Sequence, residues 1–172
     1  MTDANPMRAI SIAKVVVNIG VGEAGEKLLK AQKVLRLVTG QTPVQTLSKS
    51  TIRDWGIRRN MPIGALVTLR GTKADDFVRR ALSIRNNRLA GYSFDVLGNF
   101  SFGVPDYTDF EGMKYDPEIG VFGMDISVAL ERPGYRIAHR RIAPRRIPRA
   151  HRISRAEGIE FVRTKFSVEV VE

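Results

Sequence analysis

The residues best suited to chemistry are four cations that surround the only tryptophan of the chain, in segment 48–60. The cations are Lys49, Arg53, Arg58 and Arg59, with Trp55 between them. Cationic side chains bind phosphates, and an indole ring can stack on an exposed base. Trp55 could equally anchor this loop in the hydrophobic core. The pattern therefore indicates a nucleic-acid-binding loop and leaves the environment of the tryptophan open.

Two further segments alternate apolar and polar residues as β-strands do. In the strand predicted over 63–70, apolar residues alternate with positions that include Thr68 and Arg70. In an earlier strand the same alternation turns Lys14 and Asn18 outward. A sheet face with fixed hydrogen-bonding groups and cations suits a folded polyanion. The alternative is an ordinary half-buried strand with a solvated outer face.

The positive charge is concentrated in one segment. Residues 132–155 hold nine arginines and no acidic residue, whereas residues 1–131 hold 17 basic and 14 acidic ones. This arm carries most of the net charge of +10, which favours a polyanionic partner, either nucleic acid or an acidic membrane surface. Self-repulsion predicts that the arm is unfolded alone and orders on phosphates by counterion release. The candidate phosphate contacts are Arg140, Arg141, Arg145, Arg146 and Arg149.

The sequence lacks the residues or the spacing that several kinds of site require. The chain has no cysteine, and His139 and His151 do not have the spacing of metal ligands. The acidic residues of loop 105–120 do not have the spacing of an EF-hand, so a solvated loop is the simpler interpretation. No apolar run approaches the ~18 residues that span a bilayer, and the N-terminus lacks a signal-peptide pattern. We therefore expect a cytosolic protein without a metal or cofactor and without membrane contact.

The spacing of the glycines in Gly20-x-Gly22-x-x-Gly25 matches the dinucleotide-binding fingerprint. Three features argue against this function: no acidic residue follows about twenty positions later, Glu23 would face the pyrophosphate, and the strands do not form repeated βαβ units. As a tight turn the glycines make structural sense. A small nucleotide-dependent oxidoreductase remains one alternative, and a DNA-binding protein that uses the arm is another.

Periodicity and end signals predict the elements that position these residues. Strands are expected over 10–19, 44–47, 63–70, 92–96, 100–104 and 121–130, with 92–96 and 100–104 forming a hairpin. Helices are expected over 26–39, after a Thr72 cap, and from Ser154, where a capping box with Glu157 opens a helix to about 165. A short strand-like end over 166–171 follows. This divides the chain into a body (1–131), the arm (132–155) and a C-terminal helix and strand that pack on the body (156–172).

Six ordered motifs resemble one family, ribosomal protein five of the large subunit. They are Asn18–Ala24, Thr39–Val44, Ile57–Gly64, Val67–Gly71, Gly98–Gly103 and Gly123–Ile126. The match covers about residues 5 to 131. The Asn-Pro-Met-Arg start, the long loop and the C-terminal extension look archaeal in type.

The resemblance implies an α+β fold, with a single, mostly antiparallel sheet, helices packed on one side, long loops and a basic C-terminal extension. It also implies a structural, non-catalytic protein of the central protuberance that binds 5S rRNA and neighbouring large-subunit rRNA. The residues that match the family's 5S contacts are Asn18, Gln41, Trp55 and Thr68. We add Lys14, Lys49 and Arg70 from charge and facing, and Gln45 and Thr46 from the neighbouring strand.

The same resemblance implies functions for two loops. The loop 53–62 is expected to approach the tRNA in the P site, with Arg53, Arg58, Arg59 and Asn60 as donors to its phosphates. The long loop 105–117 is expected to form an intersubunit bridge to a protein of the small-subunit head.

Overall fold

The computed structural model describes residues 5–171. Its central feature is a five-stranded antiparallel sheet in the order β2-β3-β1-β6-β5. Its strands are β1 (Ser11–Gly20), β2 (Val44–Leu47), β3 (Pro62–Leu69), β5 (Phe100–Val104) and β6 (Met124–Glu131). Two long helices, α1 (Glu26–Thr39) and α2 (Thr72–Ile84), cover one face. This is the α+β class that the sequence predicted, with the expected sheet and one-sided helices. Parts of the expected body and of the C-terminal unit, residues 1–4 and 172, lie outside the described range.

The apolar residues at every second position of the strands form the sheet side of the core. Val15, Val17 and Ile19 of β1 are almost completely buried, and their neighbours on β3 in the sheet register are buried as well. Helix α1 presents its apolar stripe to these strands and ends at Gly40, whose left-handed φ of 67° lets its amide donate to the Arg36 carbonyl. The opposite face of the sheet has no such helical cover from α1 and α2, so its polar residues stay accessible.

A second, two-stranded sheet joins distant parts of the chain. Strand β4 (Arg88–Ala90) pairs in parallel with β7 (Glu169–Val171), which follows helix α4 (Arg155–Phe166). The capping box expected at the start of α4 is present, with the Ser154 side chain accepting from the Glu157 amide and the Glu157 side chain accepting from the Ser154 amide. A short helix, α3 (Arg136–His139), lies in the arm.

The structure corrects three local predictions. Residues 92–96 are not a strand: they begin in a 3₁₀ turn, and only an isolated bridge joins Phe94 to Phe100. Asp95 bends the chain here, because its Oδ1 accepts hydrogen bonds from the amides of Leu97 and Asn99, both 2.8 Å long. Helix α2 is capped by Gly71 and not by Thr72, and β6 begins at Met124 instead of Val121.

Candidate nucleic-acid interface

The uncovered face of the sheet, called the open face below, carries the polar residues expected from the strand patterns. Asn18 lies between Leu66 of β3 and Asp125 of β6 in the register. Thr68 lies beside Val16, one row further along. Directly paired residues of antiparallel strands project to the same side, so these side chains share one surface. Asn18 and Thr68 are half-buried, which holds them in place while leaving them in contact with solvent.

Two cations lie at one end of the open face. Lys14 is exposed on β1, and Arg70 follows the last paired residue of β3. The Arg70 guanidinium donates to the Ala13 carbonyl at 3.4 Å, so it reaches back over β1. These charges lie where they could contact phosphates of a ligand placed over Asn18 and Thr68.

Only one of the two candidates on β2 belongs to the open face. Thr46 pairs with Gly64, which has its place on this face, and a Cβ on Gly64 would lie 2.7 Å from the Thr46 hydroxyl. Gln45 pairs with Ala65, which is buried toward the helices, so Gln45 projects to the other side of the sheet. Gln41 is half-buried in the turn between α1 and β2.

The basic loop is an extension of the β2–β3 hairpin. Its base is closed by bonds from the Ser48 amide to the Met61 carbonyl and from the Asn60 amide to the Ser48 carbonyl. Further out, Ile52 and Ile57 form a bridge, and Gly56 takes a left-handed φ of 66° in the turn. Ile57 is the buried side chain of this tip, whereas Trp55 is 72% exposed. The tryptophan is therefore not a core anchor, and its ring is available to a ligand.

The loop presents its cations around a concave surface. A cavity of about 500 Å³ is lined by Arg53, Arg58 and Arg59 together with Thr51, whose hydroxyl accepts from the Arg59 amide at 3.1 Å. Lys49 and Asn60 are exposed on the same loop. The ion pairs formed within residues 5–171 engage other cations, namely Lys27, Lys30, Lys33, Arg88, Arg132 and Lys165. The loop arginines take part in none of these ion pairs and face solvent, with Asp54 as the acidic residue of the same loop.

The ends of the arm are fixed to each other and to α4, which the charge pattern did not predict. Arg132 is only 5% exposed, and its guanidinium lies 2.7 Å from the Glu157 carboxylate. The Tyr135 hydroxyl accepts from the Ile153 amide at 3.1 Å and lies 3.3 Å from the His151 carbonyl. The signal that sequence reasoning missed is the pair of apolar side chains, Tyr135 and Ile153, at the two ends of an otherwise charged segment.

Between these ends the arm exposes its cations. The five candidate arginines are all exposed: Arg140, Arg141, Arg145, Arg146 and Arg149. The Arg145 amide donates to the Ile137 carbonyl, so the chain returns on itself as a loop. A pre-formed cationic loop requires less ordering when it binds phosphates than an extended tail does.

Glu157 connects the arm to α4 electrostatically. The Ser154 backbone amide donates to its carboxylate and lowers the pKa of Glu157 below the ordinary value, and the Arg132 guanidinium lowers the pKa further. Burial of the carboxylate works in the opposite direction.

The glycine motif does not have the environment of a dinucleotide site. Strands β1 and β2 run in the same direction, but the antiparallel strand β3 lies between them, so β1–α1–β2 is a split unit and lacks the adjacent parallel strands of a dinucleotide-binding fold. The Gly22 amide already donates to the Ile63 carbonyl at 2.8 Å. The geometry therefore does not support the oxidoreductase alternative.

The long acidic loop is attached to the core by its aromatic residues. Tyr107 and Phe110 are buried, and the Phe110 ring stacks on Phe77 of α2 with centroids 5.7 Å apart. The tip of the loop follows Phe110, and its residues Lys114 and Tyr115 are exposed. Residues 5–171 contain no cluster of three acidic or histidine side chains placed to hold a metal ion. None of their helices is long and apolar enough to cross a bilayer.

Known proteins resemble this chain along almost its whole length. The family model described as ribosomal protein L5 matches residues 5–58, and the model of the C-terminus of the same ribosomal family matches residues 62–161. "Large ribosomal subunit protein uL5" of Thermoplasma volcanium is 52% identical over 97% of this chain and 99% of its own length. The proteins of the same name from Sulfurisphaera tokodaii and Methanococcoides burtonii are 49% and 48% identical over 98% and 97% of this chain, and cover 96% and 99% of their own lengths.

The similarity extends past the limit at residue 131 that the motifs alone indicated, and it includes the arm and most of α4. The relatives are archaeal, as the start of the chain and its C-terminal extension suggested. Together with the antiparallel sheet and its one-sided helices, these matches place the chain in the ribosomal protein L5 family of the large ribosomal subunit.

Proposed function

We propose that the chain binds 5S rRNA through the open face and thereby helps to build the central protuberance of the large subunit. The observation that carries this proposal is the position of Asn18 and Thr68, two uncharged hydrogen-bonding side chains in adjacent rows of a rigid sheet face. Because the sheet orders these groups before binding, little conformational entropy is lost when RNA approaches. Lys14 and Arg70 at the end of the face supply contacts to phosphates.

The same proposal assigns a separate role to each appendage. The arginines around the cavity of the basic loop contact phosphates of the P-site tRNA, and Trp55 stacks on an RNA base. The exposed arginines of the arm bind the phosphates of neighbouring large-subunit rRNA. The exposed tip of loop 105–117, fixed by Tyr107 and Phe110, contacts a protein of the small-subunit head.

The test of the central claim is a titration of the full chain against a 5S rRNA transcript. Asn18→Ala and Thr68→Ala should each weaken binding by about 5-fold, which corresponds to the loss of one hydrogen bond of about 1 kcal/mol. The thermal unfolding midpoint should stay nearly constant, because neither side chain belongs to the buried core. Unchanged affinity in both variants would remove the open face as the 5S site.

The matched control changes the loop and leaves the sheet intact. Arg58→Ala combined with Arg59→Ala should retain most of the 5S affinity but disturb tRNA placement in the P site of reconstituted ribosomes. Loss of 5S binding in this variant would show that the loop and the sheet have been assigned the wrong roles. Duplex DNA added as competitor at matched salt tests the remaining alternative, since a DNA-binding protein would release the RNA.

A further inference from the structure

A cleft beside the last strand of the main sheet contains residues that have no role so far. Strand β5 pairs with β6 on one side, and on its other side, within residues 5–171, only Phe100 is bridged, by Phe94. Beyond that bridge lies a cleft of about 260 Å³ between β5 and β4. Its lining includes Arg85, Arg88 and Tyr92.

The cleft is cationic: two arginines line it, and a third lies outside the lining but close to Tyr92. Arg85 ends α2 and is exposed. Arg88 of β4 donates from Nε to Glu169 of β7 at 2.9 Å, a bond that fixes the guanidinium and leaves its Nη groups free to donate elsewhere. From α4, Arg155 donates to the Gly91 carbonyl, which places a third guanidinium next to Tyr92. Glu169 pairs with Arg88, and Asp125 lines a neighbouring cavity together with Arg85, whereas the described lining of the cleft itself includes no acidic residue.

Tyr92 has the exposure expected of a stacking platform. Its side chain lies on a one-turn 3₁₀ helix and is 89% exposed, the largest value among the exposed large apolar and aromatic residues. A bare aromatic ring beside guanidinium groups can take a nucleobase on its face while the arginines hold the adjoining phosphates. A tyrosine that is simply solvated on a turn is the alternative, and it predicts no effect of removing the ring.

The cleft is continuous with the open face. Ser93 and Ser101 line both the cleft and a neighbouring cavity of about 300 Å³ that also includes Lys14 and Ser127. Lys14 and Ser127 belong to the open face. An RNA strand that crosses the face can therefore reach the cleft through this cavity, whose lining is largely apolar and also includes the Asp95 side chain.

We propose that the cleft lined by Arg85, Arg88 and Tyr92 binds a single-stranded part of the same 5S rRNA, with phosphate on the arginines and a base on the tyrosine ring. This inference rests on the proposed function of the open face and extends its RNA footprint around β5. Because a salt-dependent phosphate contact and a stacking contact respond differently to salt, the two halves of the site can be measured separately.

The experiment measures the affinity of the full chain for a 5S rRNA transcript over a series of salt concentrations. Arg85→Gln with Arg88→Gln should weaken binding and reduce the slope of log affinity against log salt by about 1 or more. Tyr92→Ala should weaken binding by about 5-fold or more at unchanged slope, whereas Tyr92→Phe should bind as the native chain does. Since Tyr92 is almost fully exposed, its variants test the site even if loss of Arg88 disturbs β4.

The matched control is Lys73→Gln with Arg79→Gln, which removes two exposed charges from α2 outside the cleft. Cleft variants that titrate like this control would overturn the inference while leaving the 5S site on the open face intact. A defect seen only with deproteinised large-subunit rRNA would also overturn it, because the cleft would then serve another RNA. If the native chain fails to bind 5S rRNA at all, the proposed function itself is wrong.

Discussion

Gly64 determines the shape of the open face at the scale of a single residue. A Cβ at this position would lie 2.7 Å from the Thr46 hydroxyl and 2.9 Å from the Ile19 carbonyl. Glycine normally weakens a strand interior, so its presence here indicates close approach of a neighbouring group. The Thr46 hydroxyl can therefore lie against β3. No side chain projects from position 64 of the open face, so none there obstructs a rigid ligand that approaches Asn18.

Loss of the Glu157 charge should lower the stability of the fold, because its partner Arg132 is buried. Glu157→Gln keeps the shape of the capping box but leaves the guanidinium unpaired. We expect the free energy of unfolding to fall by about 2 kcal/mol, less than for a fully buried pair because the carboxylate is partly exposed. Chemical denaturation at neutral pH measures this, with Glu160→Gln on the exposed side of α4 as the control.

The same carboxylate should produce a pH dependence of known sign. Because its pKa is lowered in the folded chain, the contribution to stability is present above the ordinary pKa of about 4.5 and is lost as the pH falls through the lowered value. The native chain should therefore lose more stability on acidification through this range than Glu157→Gln does. Parallel losses in the two proteins would contradict a stabilising role for the charge.

Sequence reasoning succeeded where a residue's surroundings follow from strand periodicity. The period of two placed Asn18 and Thr68 on the face opposite the core, and the register agrees. The same rule shows that adjacent residues such as Gln45 and Thr46 cannot share a face. Trp55 could not be placed from sequence, because its exposure depends on Ile57 being the buried side chain of the hairpin tip.

At the scale of elements, local signals were reliable and distant pairings were not. Helix α1 matches its predicted range because an apolar stripe and a terminal glycine define it. The false strand at 92–96 arose because the apolar residues there resemble a strand, while Asp95 bonds locally to two amides and turns the chain. The β4–β7 pair joins three-residue strands about 80 positions apart, and segments so short carry little periodicity of their own.

The docking of α4 depends on contact between two glycines. A Cβ on Gly158 would lie 2.6 Å from the Gly98 carbonyl oxygen and 2.7 Å from the Gly98 Cα. Glycine to alanine in a helix interior normally stabilises by about 1 kcal/mol. Here we expect the opposite sign for Gly158→Ala, a loss of about 1–3 kcal/mol, because backbone atoms must move to admit the methyl group. Denaturant unfolding gives the free energy.

Glu160→Ala, at an exposed position of the same helix, is the control for this change and should alter stability little. The amide hydrogens of β7 should also exchange faster in Gly158→Ala, since α4 leads directly into that strand. A stabilised Gly158→Ala variant would mean that α4 does not pack closely on the turn at Gly98.

At the scale of the whole molecule, the rigid sheet and the arginine-rich arm are proposed to contribute to RNA binding in different ways. In the proposed function, the sheet holds few groups at defined positions, which favours selection of one RNA shape, and the arm would supply affinity without reading sequence. The charge pattern alone predicted an unfolded arm, because nine arginines repel each other. The contacts of Arg132, Tyr135 and Ile153 hold its two ends together, so the repulsion is confined to an exposed loop.

This division of tasks predicts the behaviour of the arm in salt. Replacing Arg140, Arg141, Arg145, Arg146 and Arg149 with Gln should leave thermal unfolding nearly unchanged, because all five side chains are exposed. The salt slope of binding to deproteinised large-subunit rRNA should fall by about 0.7–0.9 for each phosphate that the variant no longer neutralises. Lys at the same five positions keeps the charge and should restore most of the slope, although it cannot form the bidentate hydrogen bonds of arginine. An unchanged slope in the Gln variant would mean that the arm does not bind RNA phosphates, and its arginines would then need a protein partner of opposite charge.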